Sequence, residues 1–135
     1  MRVFLDANVL FSASNSHSNI ARLLDLLMEK GAAVTSDFAL EEARRNVELK
    51  RPDWTGSFRH LATRIEVLAS VTFELTVPLA DKDAPILCTA IQAGCQALAT
   101  GDKRHFGHLY GHTVAGVQIV SLLQLAEMLT ADNNS

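Results

Sequence analysis

The chain has 135 residues, 48% hydrophobic and 20% charged, enough for one globular domain with a real core and too few for two. No apolar run approaches the roughly 18 residues of a membrane span, and Asp6 and Asn8 interrupt the stretch where a secretory signal would be apolar, so a soluble cytoplasmic protein is expected. A formal charge of −3 argues against a strongly basic, sequence-tolerant nucleic-acid binder, but not against one whose acids are gathered in a metal site.

In chain order, Val3 to Leu10 is an apolar, β-rich run interrupted by one carboxylate, Asp6, and one amide, Asn8. A polar segment follows from Ser12 to Ser18. Ser18 or Asn19 then caps a helix on which Ile20, Leu23, Leu24, Leu27 and Met28 recur at helical spacing, with Gly31 as its stop. Ala32 to Thr35 reads as a second strand. Ser36-Asp37 starts a helix running to about Arg51, where Pro52 ends it. A further helix is expected from Thr55 to Ala69, and a third strand from Thr72 to Val77, closed by Pro78. Asp81-Lys82-Asp83-Ala84-Pro85 opens a helix through Ala93, with proline in its first turn. Gln96 to Thr100 is a fourth strand, Gly101-Asp102 breaks it, the piece to Gly116 is irregular or briefly helical, and Val117 to Val120 is a fifth. Leu122 to Leu129 forms the last helix, and 131–135 is expected to fray as a tail beyond a domain of residues 1–130. Five strands alternating with helices predict a parallel sheet covered on both faces, a three-layer α/β/α sandwich. Cys88 and Cys95 lack the spacing of a zinc site and read as reduced core residues.

In an open parallel sheet, ligands collect beyond the carboxyl ends of the strands. Asp6 ends the first strand, Asp102 ends the fourth, and Asp83 opens the helix leading into the fourth. Strands one and four can be neighbours in a doubly wound sheet, so these three acids can converge on one crevice. The helix after strand two adds a candidate: Leu40, Ala43 and Val47 mark its apolar stripe, Glu42 lies on the border and Glu41 faces nearly away, which leans towards Glu42. Each acid has a plainer use. Asp83 suits an N-cap, Asp102 a turn, Glu41 and Glu42 a solvated helix face, and Asp6 a structural hydrogen-bond acceptor. The metal reading rests on all four pointing to one end of the same sheet.

Four fragments carry a resemblance: Phe4-Leu5-Asp6-Ala7-Asn8-Val9-Leu10, Glu41-Glu42-Ala43-Arg44-Arg45-Asn46, Lys82-Asp83-Ala84-Pro85-Ile86-Leu87 and Thr100-Gly101-Asp102-Lys103-Arg104-His105-Phe106. In this order they resemble the successive motifs of PIN-domain proteins, including the VapC-type toxins of bacterial toxin–antitoxin pairs. The resemblance covers most of the chain. It implies a PIN-like fold and a metal-dependent endoribonuclease acting on single-stranded RNA. Asp6, Glu42, Asp83 and Asp102 would take the acidic ligand positions, with Glu41 and Asp81 as the competing assignments, and Asn8 and Thr100 match supporting polar positions. It also implies a cognate antitoxin protein and a homodimer. The segment from Gly107 to Gly116 matches no family role.

The chemistry suits these residue types. Mg2+ and Mn2+ take oxygen ligands, and such ions activate water and stabilise the leaving oxygen in phosphodiester hydrolysis. Asn8 would orient Asp6 or a metal-bound water, and Thr100 would hydrogen-bond a ligating carboxylate. Lys103 and Arg104, next to Asp102, are placed to contact a substrate phosphate; Arg44, Arg45, Lys50 and Arg51 extend a phosphate track or form a solvated face. His105, His108 and His112 mimic helical spacing, but Gly107 and Gly111 oppose a stiff helix, so loop histidines are expected. Trp54 and Phe106 are expected to pack against the protein more than to stack on a base. A phosphoacceptor receiver would want an acidic pair after strand one and a lysine after strand five, and a haloacid-dehalogenase-type phosphatase a carboxylate where Asn8 stands. The closer rival is a non-catalytic PIN-like module that binds RNA or a partner protein.

Overall fold

The computed structural model describes residues 1–131, and the tail expected over 132–135 lies outside the described residues. In chain order the elements are β1 (Arg2–Leu5), α1 (Ala7–Ala13), α2 (Asn19–Lys30), β2 (Ala32–Ser36), α3 (Asp37–Lys50), a 3-10 turn (Pro52–Trp54), α4 (Thr55–Thr63), β3 (Glu66–Leu68), α5 (Ala84–Gln92), β4 (Ala97–Ala99), α6 (Lys103–Phe106), a second 3-10 turn (Gly107–Leu109), β5 (Thr113–Val114), β6 (Val117–Val120) and α7 (Leu122–Ala131). The sheet order is β3-β2-β1-β4-β6-β5. All pairings are parallel except β5 with β6.

Burial follows this order. Val3, Phe4 and Leu5 of β1 and all of β4 are buried, as central strands covered on both faces must be, which is why they read as unbroken apolar runs. Edge strand β3 leaves Glu66 and Val67 exposed. Helices α1, α2, α3, α4 and α7 contact one another in a continuous layer, whereas α5 packs on β2 and β4 from the other face, completing three layers. Ser18 caps α2 by accepting the Ala21 N–H at 3.0 Å, and Ser36 caps α3 by accepting that of Ala39 at 3.1 Å. A Cβ at Gly31 would collide with the Met1 carbonyl oxygen, so glycine lets β2 draw alongside β1.

Several expected elements shift. The helix from Thr55 stops at Thr63, and the third strand is Glu66–Leu68 in place of 72–77. Residues 66–68 take the open flank of β2, and 72–77 form no strand. The latter pass beside α5 instead, where Val71 N–H donates to Thr89 Oγ1 at 3.0 Å and Phe73 N–H to Cys88 Sγ at 3.4 Å. The sheet has a sixth, antiparallel strand because Ala115 (φ 48°) and Gly116 (φ 88°) form a two-residue turn that folds Thr113–Val114 back onto β6. An additional helix, α1, follows β1 directly and buries Val9, Leu10 and Ala13. The last helix runs through Ala131, so Ala131 is helical where fraying was expected.

Candidate metal centre

Strands β2 and β3 lie to one side of β1, and β4 and β6 to the other. The chain therefore reverses its winding between β1 and β4, and the crevice beyond their carboxyl ends is the switch point where such sheets bind ligands. A cleft of about 350 Å³ opens there, walled by Asp6, Ala7, Asn8 and Phe11 from the β1–α1 segment, Phe38, Glu42, Asn46 and Lys50 from α3, Lys82, Asp83 and Ile86 around the start of α5, and Asp102 after β4.

Asp6 is held from several sides. Its Oδ1 accepts the Ala7 N–H at 2.8 Å, which starts α1, and its Oδ2 accepts the Thr100 hydroxyl at 2.8 Å and the Asn8 amide at 3.4 Å. Burial pushes its carboxyl from 3.8 to about 6; the bonds from Thr100 and Ala7 oppose the rise, and the charges of Glu42 and Asp102 add to it. Thr100 links the two strand ends, since its Oγ1 also accepts the Asp102 N–H at 3.1 Å. Asn8 closes the loop by accepting the Gly101 N–H at 2.9 Å.

Asp102 caps the short α6 by accepting the His105 N–H at 3.2 Å, and its Oδ2 lies 2.6 Å from His105 Nδ1. Partial burial pushes its carboxyl up, but the side-chain and backbone bonds from His105, helped by the charges of His105 and Lys82, leave it below the ordinary carboxylate range. Asp83 stands at the N-cap of α5 without making a capping bond. It is buried, and its Oδ2 has no hydrogen-bond partner among the described residues. The nearest cation-forming group is His105 Nδ1, at 3.7 Å.

An orphaned carboxylate oxygen in a closed corner costs several kcal/mol unless a positive charge meets it. Asp83, Asp102 and His105 offer ligand atoms that all lie within 4.8 Å of one another. With Asp6 and Glu42 on the same cleft the donors are mostly carboxylate oxygens, the set that a hard divalent cation takes. The residues present therefore fit a hard divalent cation, with Asp83, Asp102 and His105 as the tight group and Asp6 and Glu42 farther along the same cleft.

The expected positions separate cleanly. Glu42 lines the cleft, whereas Glu41 is bound to Arg44 on the outer face of α3. Asp83 lies in the cleft, whereas Asp81 is exposed on a neighbouring groove with Phe73 and Leu75. Lys103 and Arg104 are exposed on α6 and do not line the cleft. Arg44 is tied to Glu41 and Glu48, and Arg51 to Asp53. Phe106 is fully buried, and Trp54 packs against Phe11 with ring centroids 5.4 Å apart. His108 bonds the Pro78 carbonyl at 3.0 Å, and His112 is exposed.

Three features of the cleft escaped sequence reasoning. His105 falls in sequence among the other loop histidines, although its spacing of three from Asp102 puts the two on one helical turn. Lys82 is the cationic wall beside Asp83, and its adjacency in sequence was the available signal. Phe38 and Asn46 join the expected Glu42 and Lys50 in a row that recurs every four residues, a period that a search for apolar stripes passes over.

This is the PIN-domain fold, the fold of VapC-type proteins, with an acid-walled cleft at the position where the sheet reverses. The chain is similar to VapBC2 from Rickettsia felis, solved bound to a DNA fragment from their promoter, at a TM-score of 0.68 and 18% identity, over 90% of this chain and 98% of that one. It is also similar to the Sarcin-Ricin loop cleaving toxin VapC20 of Mycobacterium tuberculosis, with TM-score 0.53, 12% identity and coverage of 76% and 91%. A PilT N-terminus domain protein from Sulfolobus solfataricus P2 gives TM-score 0.54 and 15% identity, covering 96% of this chain and 93% of that one. No family model and no curated protein matches the sequence.

Proposed function

We propose that the chain is a divalent-cation-dependent endoribonuclease that hydrolyses phosphodiester bonds in single-stranded RNA, acting as the toxin of a toxin–antitoxin pair. The observation that carries this reading is the unpartnered, buried Asp83 Oδ2 beside Asp102, in a cleft shared with Asp6 and Glu42. Asp6, Glu42, Asp83 and Asp102 would hold Mg2+ or Mn2+, which when bound supplies a water of lowered pKa and neutralises charge on the reacting phosphate. The protein's own residues set the stage for this. Thr100 and Asn8 fix the Asp6 carboxylate by direct hydrogen bonds, so it meets a ligand without rearranging. Lys82, in the cleft wall, offers an ammonium to the substrate phosphate; Lys103 and Arg104, outside the cleft, would meet phosphates farther along the strand.

The likeness to VapBC2 and VapC20 supports the toxin reading and an antitoxin partner; a homodimer and a cytoplasmic site of action, where RNA is found, are proposed with it. Residues 1–130 would form the nuclease domain. Co-purification with a candidate antitoxin and the mass in solution test the assembly.

Purified chain on single-stranded RNA with Mg2+ or Mn2+, with and without chelator, tests the activity. Cleavage that a chelator stops and added cation restores is expected. Cleavage indifferent to chelator, or none with either cation, contradicts it; RNA binding without cleavage would favour the non-catalytic module.

A further inference from the structure

Helix α3 lays four side chains along the cleft at a constant spacing of four residues. Phe38, Glu42, Asn46 and Lys50 all line it, and on an α-helix such residues follow one ridge, each about one turn beyond the last. The ridge is about 18 Å long at 1.5 Å per residue, and only Glu42 on it belongs to the acid cluster. The other three do nothing for a cation.

Their chemistry points elsewhere. Phe38 is 41% exposed, a large apolar face left in water on the rim of an acidic cleft. The Asn46 amide makes no hydrogen bond among the described residues. The Lys50 ammonium has no carboxylate partner among them; it sits 5.9 Å from the ring centroid of Phe11, which Trp54 backs. Along one line the helix thus presents a ring, an acid, an amide and an ammonium. An unpaired nucleotide strand offers the counterparts: base faces that stack on aromatics, base edges that hydrogen-bond, and phosphates that take cations.

We infer that the ridge Phe38–Glu42–Asn46–Lys50 is a single-strand track through the cleft. Phe38 stacks on a base to one side of the scissile phosphate, Asn46 hydrogen-bonds a base edge on the other, and Lys50 pairs with the phosphate beyond it. The inference rests on the ribonuclease reading and adds which side chains hold the strand. In a duplex each base face is covered by its neighbours, so Phe38 finds a face to stack on only in an unpaired strand. Stacking tolerates any base, so selectivity along this track is for unpaired structure more than for sequence.

The test reads binding without turnover, by anisotropy of a labelled 12-nucleotide RNA with the full chain carrying Asp102→Asn, and reads KM and kcat in the otherwise unaltered chain. Phe38→Ala is expected to weaken binding about five- to a hundredfold, the range for losing one stacked base, and to raise KM more than it lowers kcat. Phe38→Trp, which keeps a stacking face, restores both. Lys50→Ala flattens the dependence of log affinity on log salt by about 0.7. A duplex of the same sequence binds weakly to all variants alike. If Phe38→Ala and Lys50→Ala, melting as the parent does, bind and process the strand unchanged while the parent cleaves RNA, the track is overturned and the ribonuclease reading stands. A duplex bound and cut as well as the single strand also overturns it. A parent that binds no single-stranded RNA overturns both.

Discussion

The two ends of the parallel sheet treat charge in opposite ways. At the amino end, Arg2 pairs with Glu66 at 2.9 Å and both side chains are well exposed; its guanidinium also donates to the Ala93 carbonyl at 3.2 Å. Opposite charges meet there in water. At the carboxyl end, Asp6 and Asp83 are buried, Asp102 is half-buried, Glu42 faces the same cleft, and the acids outnumber the cations facing them. An exposed pair gains little and costs little. Like charges gathered in a partly closed cleft raise the free energy of the fold, and a structure that keeps them has another use for them. The comparison thus separates a surface that solubilises from one built to receive a cation.

Substitutions at the two ends should sharpen that difference. Asp83→Asn and Asp102→Asn are expected to leave a folded chain whose RNA cleavage falls by more than the roughly 100-fold that losing an outer partner of a metal site costs; initial rates with Mn2+ measure it. A chain unfolded by either change would make that aspartate a structural anchor.

The next effect is on stability. The Asp6 carboxyl titrates near 3.8 when unfolded and near 6 when folded, so between these values the folded chain holds a proton that the unfolded chain has released. In chelator, the contribution of this group to stability is therefore greatest below about pH 4 and falls as pH rises through 6, by up to about 3 kcal/mol at 1.36 kcal/mol per unit. Asp6→Asn should recover most of this at pH 7 and almost none at pH 4. Urea unfolding at a series of pH values reads the effect, and equal gains at both ends of the range would contradict it.

A smaller loss is expected at Thr100, which donates to Asp6 and receives the Asp102 N–H. Thr100→Val should weaken Mn2+ binding about 10- to 100-fold in calorimetry. Least of all, Arg2→Met should cost about 0.5 kcal/mol or less, discounted for solvent screening of the exposed pair, with cleavage unchanged. A large loss of cleavage from Arg2→Met would break the comparison.

The parts of this arrangement visible in the sequence were those set by local pattern. The apolar β1 interrupted at Asp6, the capped helix after Ser36 and the Thr100-Gly101-Asp102 break after β4 each carry their own signal, and together they place the acids at one end of the sheet. What was hidden depended on partners distant in the chain. The run from 72 to 77 has β-forming residues, but 66–68 takes the place beside β2 and the segment after it bonds to Thr89 and Cys88 of α5 instead. Helix α1 is only two turns long, and its apolar residues merge with those of β1. Asp83 occupies the sequence position of an N-cap; only the folded structure shows that it makes no capping bond and is left unpartnered. The α3 ridge goes unread for a related reason, since its members differ in polarity and share only a spacing and a cleft.

The most direct test of the central claim is the position of Mn2+ in crystals of the full chain, located by its anomalous scattering. A peak joined to the Asp83 and Asp102 carboxylates, on the side facing Asp6, is the predicted result. No peak there at saturating Mn2+, with Asp83 Oδ2 paired to His105 instead, would show that the acids are neutralised within the protein and would contradict the account.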